Sequence, residues 1–237
     1  MKVNRFKFFI FLFLVIVFVF LFFGFSKNEQ SQATSWGQLI LNVKKEPTRI
    51  GIQAGHWKNG ELPDELYKLR LYGGGTTVGK VTEWKTNLEI AQKIEKILKE
   101  NNYAVDLLPA TVPPDYKADA FVSIHCDGND VSSVTGYKSG ASAFDQSGKA
   151  KNLSQMIADE YSKATGLRKD PNVTEDMTEY YVFNFEKYEH SIDPKTPAAL
   201  LEMGFLTNTN DRNLLLNKQD QLAKSIAQGI INFLNSK

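Results

Sequence analysis

The stretch Asp119–Gly128, DAFVSIHCDG, constrains this chain most. Ala120–Ile124 is a short run of β-branched and aromatic residues that reads as a buried strand, and His125, Cys126 and Asp127 follow where such a strand would end. A histidine there is held rigidly at a loop rim, which is where open α/β sheets put their chemistry. Thr48–Ala54, TRIGIQA, has the same form, with Gly55 and His56 directly after it. Two of the three histidines in 237 residues therefore stand just past an expected strand.

The rest of the chain alternates in the same sense. Between Thr86 and Lys99, Ile90, Ala91, Ile94, Ile97 and Leu98 recur at helical spacing, with charged residues on the other side. Tyr103–Leu108 and Ser139–Phe144 read as further strands, and Ser147 as the cap of a helix that runs to about Lys163 and ends at Gly166. PAALLEM at 197–203 is another strand, followed by a short helix beginning at Asp211 and a last helix over 219–234. Repeated strand–helix alternation predicts an α/β fold: a three-layer domain with a largely parallel twisted sheet and helices on both faces. Residues 57–82 and 167–194 show no sustained period and read as irregular segments beside a site, the first with at most a short helix near 63–70.

The N-terminus divides the chain. Phe8–Phe25 is an uncharged run of 18 residues, about 27 Å long as a helix and close to a bilayer core. Lys2, Arg5 and Lys7 precede it, which favours a cytoplasmic N-terminus and an exported body. Residues 1–25 therefore read as an uncleaved membrane anchor, or as a signal segment cleaved after Ser31-Gln32-Ala33. Residues 26–46, rich in Ser, Gln, Asn and Lys, read as a polar linker, and residues 47–237 as the catalytic domain. From Ser35 onward there are 24 basic and 26 acidic residues, a net charge of −2, so no electrostatic case exists for nucleic-acid binding.

Several features carry chemistry. Glu83 lies just before or inside the first turn of its helix, where a carboxylate either complements the helix end or is aimed by it at a site. Glu202 is the one charge in an apolar strand, a costly placement unless it is paired or working. Gly74–Val81, GGTTVGKV, nearly spells a phosphate-binding loop, but Val81 stands where the magnesium-binding hydroxyl belongs and no strand precedes the glycines. A glycine-rich loop passing close to a ligand or metal is the simpler account. Cys126 is the only cysteine; adjacent residues on an extended chain face opposite ways, so it reads as a small buried filler rather than a partner of His125. Two histidines and a glutamate make a plausible three-ligand zinc set, although spacing alone leaves open which of the many acids meet.

Four segments together resemble the zinc-dependent N-acetylmuramoyl-L-alanine amidases, cell-wall amidase type 3: GIQAGHW at 51–57, TEWKTNLEIA at 82–91, ADAFVSIHCD at 118–127 and PAALLEMGFLTN at 197–208. The resemblance implies Zn2+ held by His56, Glu83 and His125, with Glu202 as the catalytic general base and acid. It implies peptidoglycan as substrate, cut between the muramic acid lactyl group and L-alanine, in the extracytoplasmic cell envelope. Membrane contact would run through the N-terminal segment if uncleaved, and whether a protein activator exposes the metal stays open. The motifs depart from the family pattern at Gln53, Ala54, Trp57 and Lys58, and at Cys126 and Asp127, without removing a proposed ligand. His190 is a candidate oxyanion stabiliser because it lies near Glu202 in sequence. The alternatives are a zinc carboxypeptidase or other peptide amidase on the same fold, and a non-catalytic wall-binding domain.

Overall fold

The computed structural model describes residues 46–236. The expected anchor over 1–25, and all but the last residue of the linker at 26–46, lie outside the described residues. Among those described, no helix is long and apolar enough to cross a membrane.

A five-stranded sheet forms the centre, in the order β4 (Ala104–Leu108), β1 (Arg49–Ala54), β5 (Ala120–Asp127), β7 (Ala198–Phe205) and β6 (Lys138–Ala141). The first four are mutually parallel and β6 runs antiparallel to β7 at the edge, so the sheet is largely parallel as expected. The side-chain period of two divides each strand between two cores. Ile52, Val122, Ile124 and Leu201 point to one face and pack with the long helices α1 (Glu83–Glu100), α2 (Ala150–Thr165) and α5 (Gln219–Asn235). Fully buried Ile90, Ile94, Ile226 and Ile230 supply the helix side of that core, each worth about 1.5–3 kcal/mol of transfer free energy.

Phe121, Ala198 and Leu200 point the other way and meet Val112, Tyr116, Met177, Val182, Phe183 and Ile192. The third layer is thus built from irregular chain, the one-turn helix α3 (Glu175–Thr178) and a 3-10 turn at Tyr181–Phe183, rather than from a second set of long helices. Cys126 is buried in the helix-side core, on the face opposite His125.

Two local readings shift. Ser147 does not cap α2 directly: Lys149 holds that position, while Ser147 and Asp145 accept from the amides of Lys149 and Ala150 just ahead of the helix. The helix expected to begin at Asp211 starts two residues earlier, as α4 (Thr209–Asn217), capped by Asn208, whose side chain accepts from the amides of Asn210 and Asp211. The expected short helix in the first irregular segment is a 3-10 helix at Asp64–Tyr72. The glycine-rich stretch after it is a tight hairpin of β2 (Thr77–Val78) and β3 (Val81–Thr82), turned at Gly79, whose φ of 61° suits the first position of a two-residue turn.

Candidate metal centre

The parallel register brings strand ends together. Gly51 to Ala54 of β1 pair with Phe121 to Ile124 of β5, so Gly55-His56 and His125 emerge side by side. Gly55 allows this closeness, because a Cβ there would stand 2.3 Å from the His125 ring. His56 adopts a left-handed backbone, φ 61°, a conformation costing a non-glycine residue about 1–2 kcal/mol that the surrounding contacts must sustain. The two imidazoles meet edge to face, with centroids 5.2 Å apart.

Glu83 is the first residue of α1, and its buried carboxylate faces both rings: Oε1 lies 3.1 Å from His125 Nδ1 and 3.5 Å from His56 Nε2. The amide of Thr76 donates to Oε2 at 2.9 Å; Asn87 Nδ2 and the amide of Cys126 donate to Oε1, each at 3.3 Å. Asn87 stands one helical turn on, at the i+4 spacing that puts it beside Glu83, and also donates to the Gly55 carbonyl at 3.2 Å. Burial works to raise the Glu83 pKa, but the hydrogen bond and charge of His125, the charge of His56 and the Thr76 amide together hold it below the ordinary value. Burial lowers the pKa of His56, against the pull of Glu83, which favours the neutral imidazole that metal binding requires. The ligand-capable atoms of His56, Glu83 and His125 all lie within 4.8 Å of one another.

Glu202 joins from β7. It is the register partner of His125 on one side and of Lys138 on the other, so the three side chains form a row on one face of the sheet. Its Oε2 is sealed from solvent and has no hydrogen-bond partner. Burial, then the charges of Glu83 and Asp127, push its pKa well above the ordinary range, opposed by Lys138. Lys138 is engaged by Asp127 and lies 3.9 Å from Asp170.

A cleft of about 660 Å³ opens over this row, lined by His56, His125, Glu202, Lys138, Tyr180 and Tyr188 among others. The four residues singled out in the sequence are therefore brought together. His190 is not among the residues lining the cleft: its ring lies 2.8 Å from Glu65, which also accepts the amides of Glu189 and His190. Tyr180, whose hydroxyl is 3.2 Å from His125 Nε2, was not singled out, because nothing periodic in its segment marks an inward residue. Asn87 carried one usable signal, its helical spacing from Glu83.

The solved N-acetylmuramoyl-L-alanine amidase from Clostridium difficile 630 is similar over 81% of this chain and 100% of its own, with a TM-score of 0.58 and 23% identity. The catalytic domain of CwlV, N-acetylmuramoyl-L-alanine amidase from Bacillus (Paenibacillus) polymyxa var. colistinus, is similar over 80% of this chain and 99% of its own, with a TM-score of 0.56 and 25% identity. N-acetylmuramoyl-L-alanine amidase LytC of Bacillus subtilis (strain 168) is 26% identical over 212 residues, 82% of this chain; the alignment spans 40% of LytC. Residues 50–232 match the family model described as N-acetylmuramoyl-L-alanine amidase, and the chain belongs to that family.

Proposed function

We propose that this chain hydrolyses the amide between the muramic acid lactyl group and L-alanine of peptidoglycan, with Zn2+ held by His56, Glu83 and His125 and with Glu202 as general base and acid. The observation that carries the reading is a convergence: three ligand-type side chains lie within 4.8 Å of one another, and the neighbouring Glu202 offers a carboxylate oxygen that has no hydrogen-bond partner. The donor set fits zinc, since two imidazoles and one carboxylate leave a fourth position open. Bound there, zinc would act as a Lewis acid, polarising a carbonyl and making a water more acidic.

The protein's own groups do the rest. Thr76, Asn87 and Cys126 fix the Glu83 carboxylate through three donated hydrogen bonds, so its direction is set before any ligand arrives. Glu202, whose Oε2 has no hydrogen-bond partner, takes in its ionised form the proton of the attacking water and returns it to the departing alanine nitrogen. No side-chain nucleophile is required, and Cys126 faces the opposite core.

We further propose that residues 1–25 anchor the chain or direct its export, that 26–46 tether it, and that the domain from 47 onward works in the extracytoplasmic envelope. Digestion of purified peptidoglycan, with soluble products read by mass spectrometry, tests the activity. Intact stem peptides beginning with L-alanine are expected; trimming of free peptides without their release would favour the carboxypeptidase instead.

A further inference from the structure

The third histidine stands outside the chemistry above, yet it marks where two irregular segments of the chain meet. Glu65, in the 3-10 helix at Asp64–Tyr72, receives three hydrogen bonds from residues 124 and 125 positions away. Its Oε2 accepts the amide of Glu189 at 2.9 Å, and its Oε1 accepts the amide of His190 at 2.9 Å and His190 Nδ1 at 2.8 Å. An ionised carboxylate only accepts, so Nδ1 carries the imidazole proton. Burial works to raise the Glu65 pKa, but the two amides and His190 hold it below the ordinary value, so the carboxylate stays ionised at neutral pH. Two of the three donors are backbone amides, which makes the grip stronger than an exposed ion pair and keeps most of it independent of the His190 charge.

Both segments supply one side of the cleft. Asn59 and Leu69 line it from the first, and Tyr181, Asn184 and Tyr188 from the second. A small apolar cluster lies between them, with Leu62, Leu66 and Ala110 buried and Leu69, Tyr181 and Tyr188 packed against it. Apolar contact is non-directional, so fixing one segment against the other falls to the hydrogen bonds. Among the described residues, the bonds to Glu65 are the only hydrogen bonds that join residues 184–190 to a distant part of the chain; the others run within 181–191. We infer that Glu65 is a positioning residue for the cleft: by gripping Glu189 and His190 it holds the two segments as one wall, against which substrate binds. The inference rests on the peptidoglycan reading for what the cleft receives. Without the grip the wall is in place in only a fraction of molecules, and apparent affinity falls by that fraction. Bound substrate would still meet the same ligand set and Glu202, so the effect belongs in KM rather than kcat.

The test compares wild type with Glu65→Ala, Glu65→Gln and His190→Ala, each as the zinc-loaded full chain in detergent. Amide hydrogen exchange read by mass spectrometry follows residues 184–190. Steady-state kinetics on soluble, uncross-linked peptidoglycan strands give KM and kcat, and thermal melting verifies that each variant folds. Glu65→Ala should speed exchange in 184–190 and raise KM by about 10-fold, as for a wall in place in about one molecule in ten, with kcat within about twofold of wild type. Glu65→Gln keeps one acceptor oxygen and His190→Ala keeps both amide donors, so each should give a smaller rise. A folded Glu65→Ala protein with unchanged KM, or one that loses kcat at constant KM, overturns the inference and leaves the hydrolytic reading intact. Exchange in 184–190 as fast in wild type as in Glu65→Ala overturns it as well, whatever the activity. A wild type that cleaves no strands overturns the hydrolytic reading, and exchange alone then decides whether Glu65 holds the segment.

Discussion

Gly75 offers a sharp test of how the glycine-rich loop serves the proposed metal centre. A Cβ at this position would stand 2.2 Å from Glu83 Oε2, 2.8 Å from its carboxyl carbon and 2.8 Å from His56 Cδ2. Its φ of +74° adds the left-handed penalty of about 1–2 kcal/mol for Gly75→Ala. Gly79→Ala is the internal control, because Gly79 lies in the same loop at φ +61° with open space around it and carries the backbone penalty alone. To clear the new methyl, the Glu83 carboxylate must move by roughly 1 Å, a displacement large enough to cost about 100-fold in a precise site. It has nowhere to go at low cost, since the amide of Thr76 holds Oε2 while Asn87 and the amide of Cys126 hold Oε1. Zinc sites tolerate ligand errors of only about 0.2 Å. The expected loss of zinc affinity is therefore about 10- to 100-fold, or ~1.4–2.8 kcal/mol, for Gly75→Ala beyond that of Gly79→Ala. Chelator competition measures the affinities and melting of the zinc-free proteins measures the shared backbone term. Equal zinc affinity in the two variants would refute the reasoning.

Other perturbations reach different parts of the account. Asn87→Ala removes the donor shared by Glu83 and the Gly55 carbonyl; it should cost about 1–3 kcal/mol of stability and weaken zinc binding, both visible in melting with and without metal. Glu202→Gln should flatten a pH dependence of the zinc-free protein. The folded carboxyl keeps its proton above the ordinary value of 4.5, so the unfolded chain binds fewer protons as pH rises from there to the raised folded pKa. Wild-type stability should fall across that window relative to the variant, and the two should differ least at pH 4 and below; a fall of equal size in both would contradict the assignment. Cys126→Ala should keep zinc and hydrolysis while losing stability to a small cavity in the helix-side core, and loss of turnover in a folded, zinc-loaded variant would reopen the cysteine as a participant.

Much of this was legible because a few residues carry two signals at once. His56 and His125 combine a rare residue type with a period-two run that fixes where each strand ends, and parallel pairing then makes strand ends neighbours. Glu202 stood out as one charge in an apolar strand, and Glu83 as a carboxylate at a helix start. The layer over the second face was not legible. Its chain has no repeat, so the sequence gives no sign that Tyr180 and Tyr181 turn inward to His125 and Ala110 while Tyr67 stays exposed. The hairpin around Gly79 was hidden for a related reason, since two-residue strands are too short to show alternation. Closeness in sequence points His190 toward Glu202, whereas the fold gives it to Glu65, 125 residues away.

The most direct test of the central claim combines metal content with product analysis for wild type and Glu202→Ala, run side by side on purified peptidoglycan. The account predicts about one zinc per chain in both proteins. It also predicts release of L-alanine-terminated stem peptides by wild type and none by the variant. Release by a Glu202→Ala protein at the wild-type rate, or by wild type stripped of metal, would contradict it.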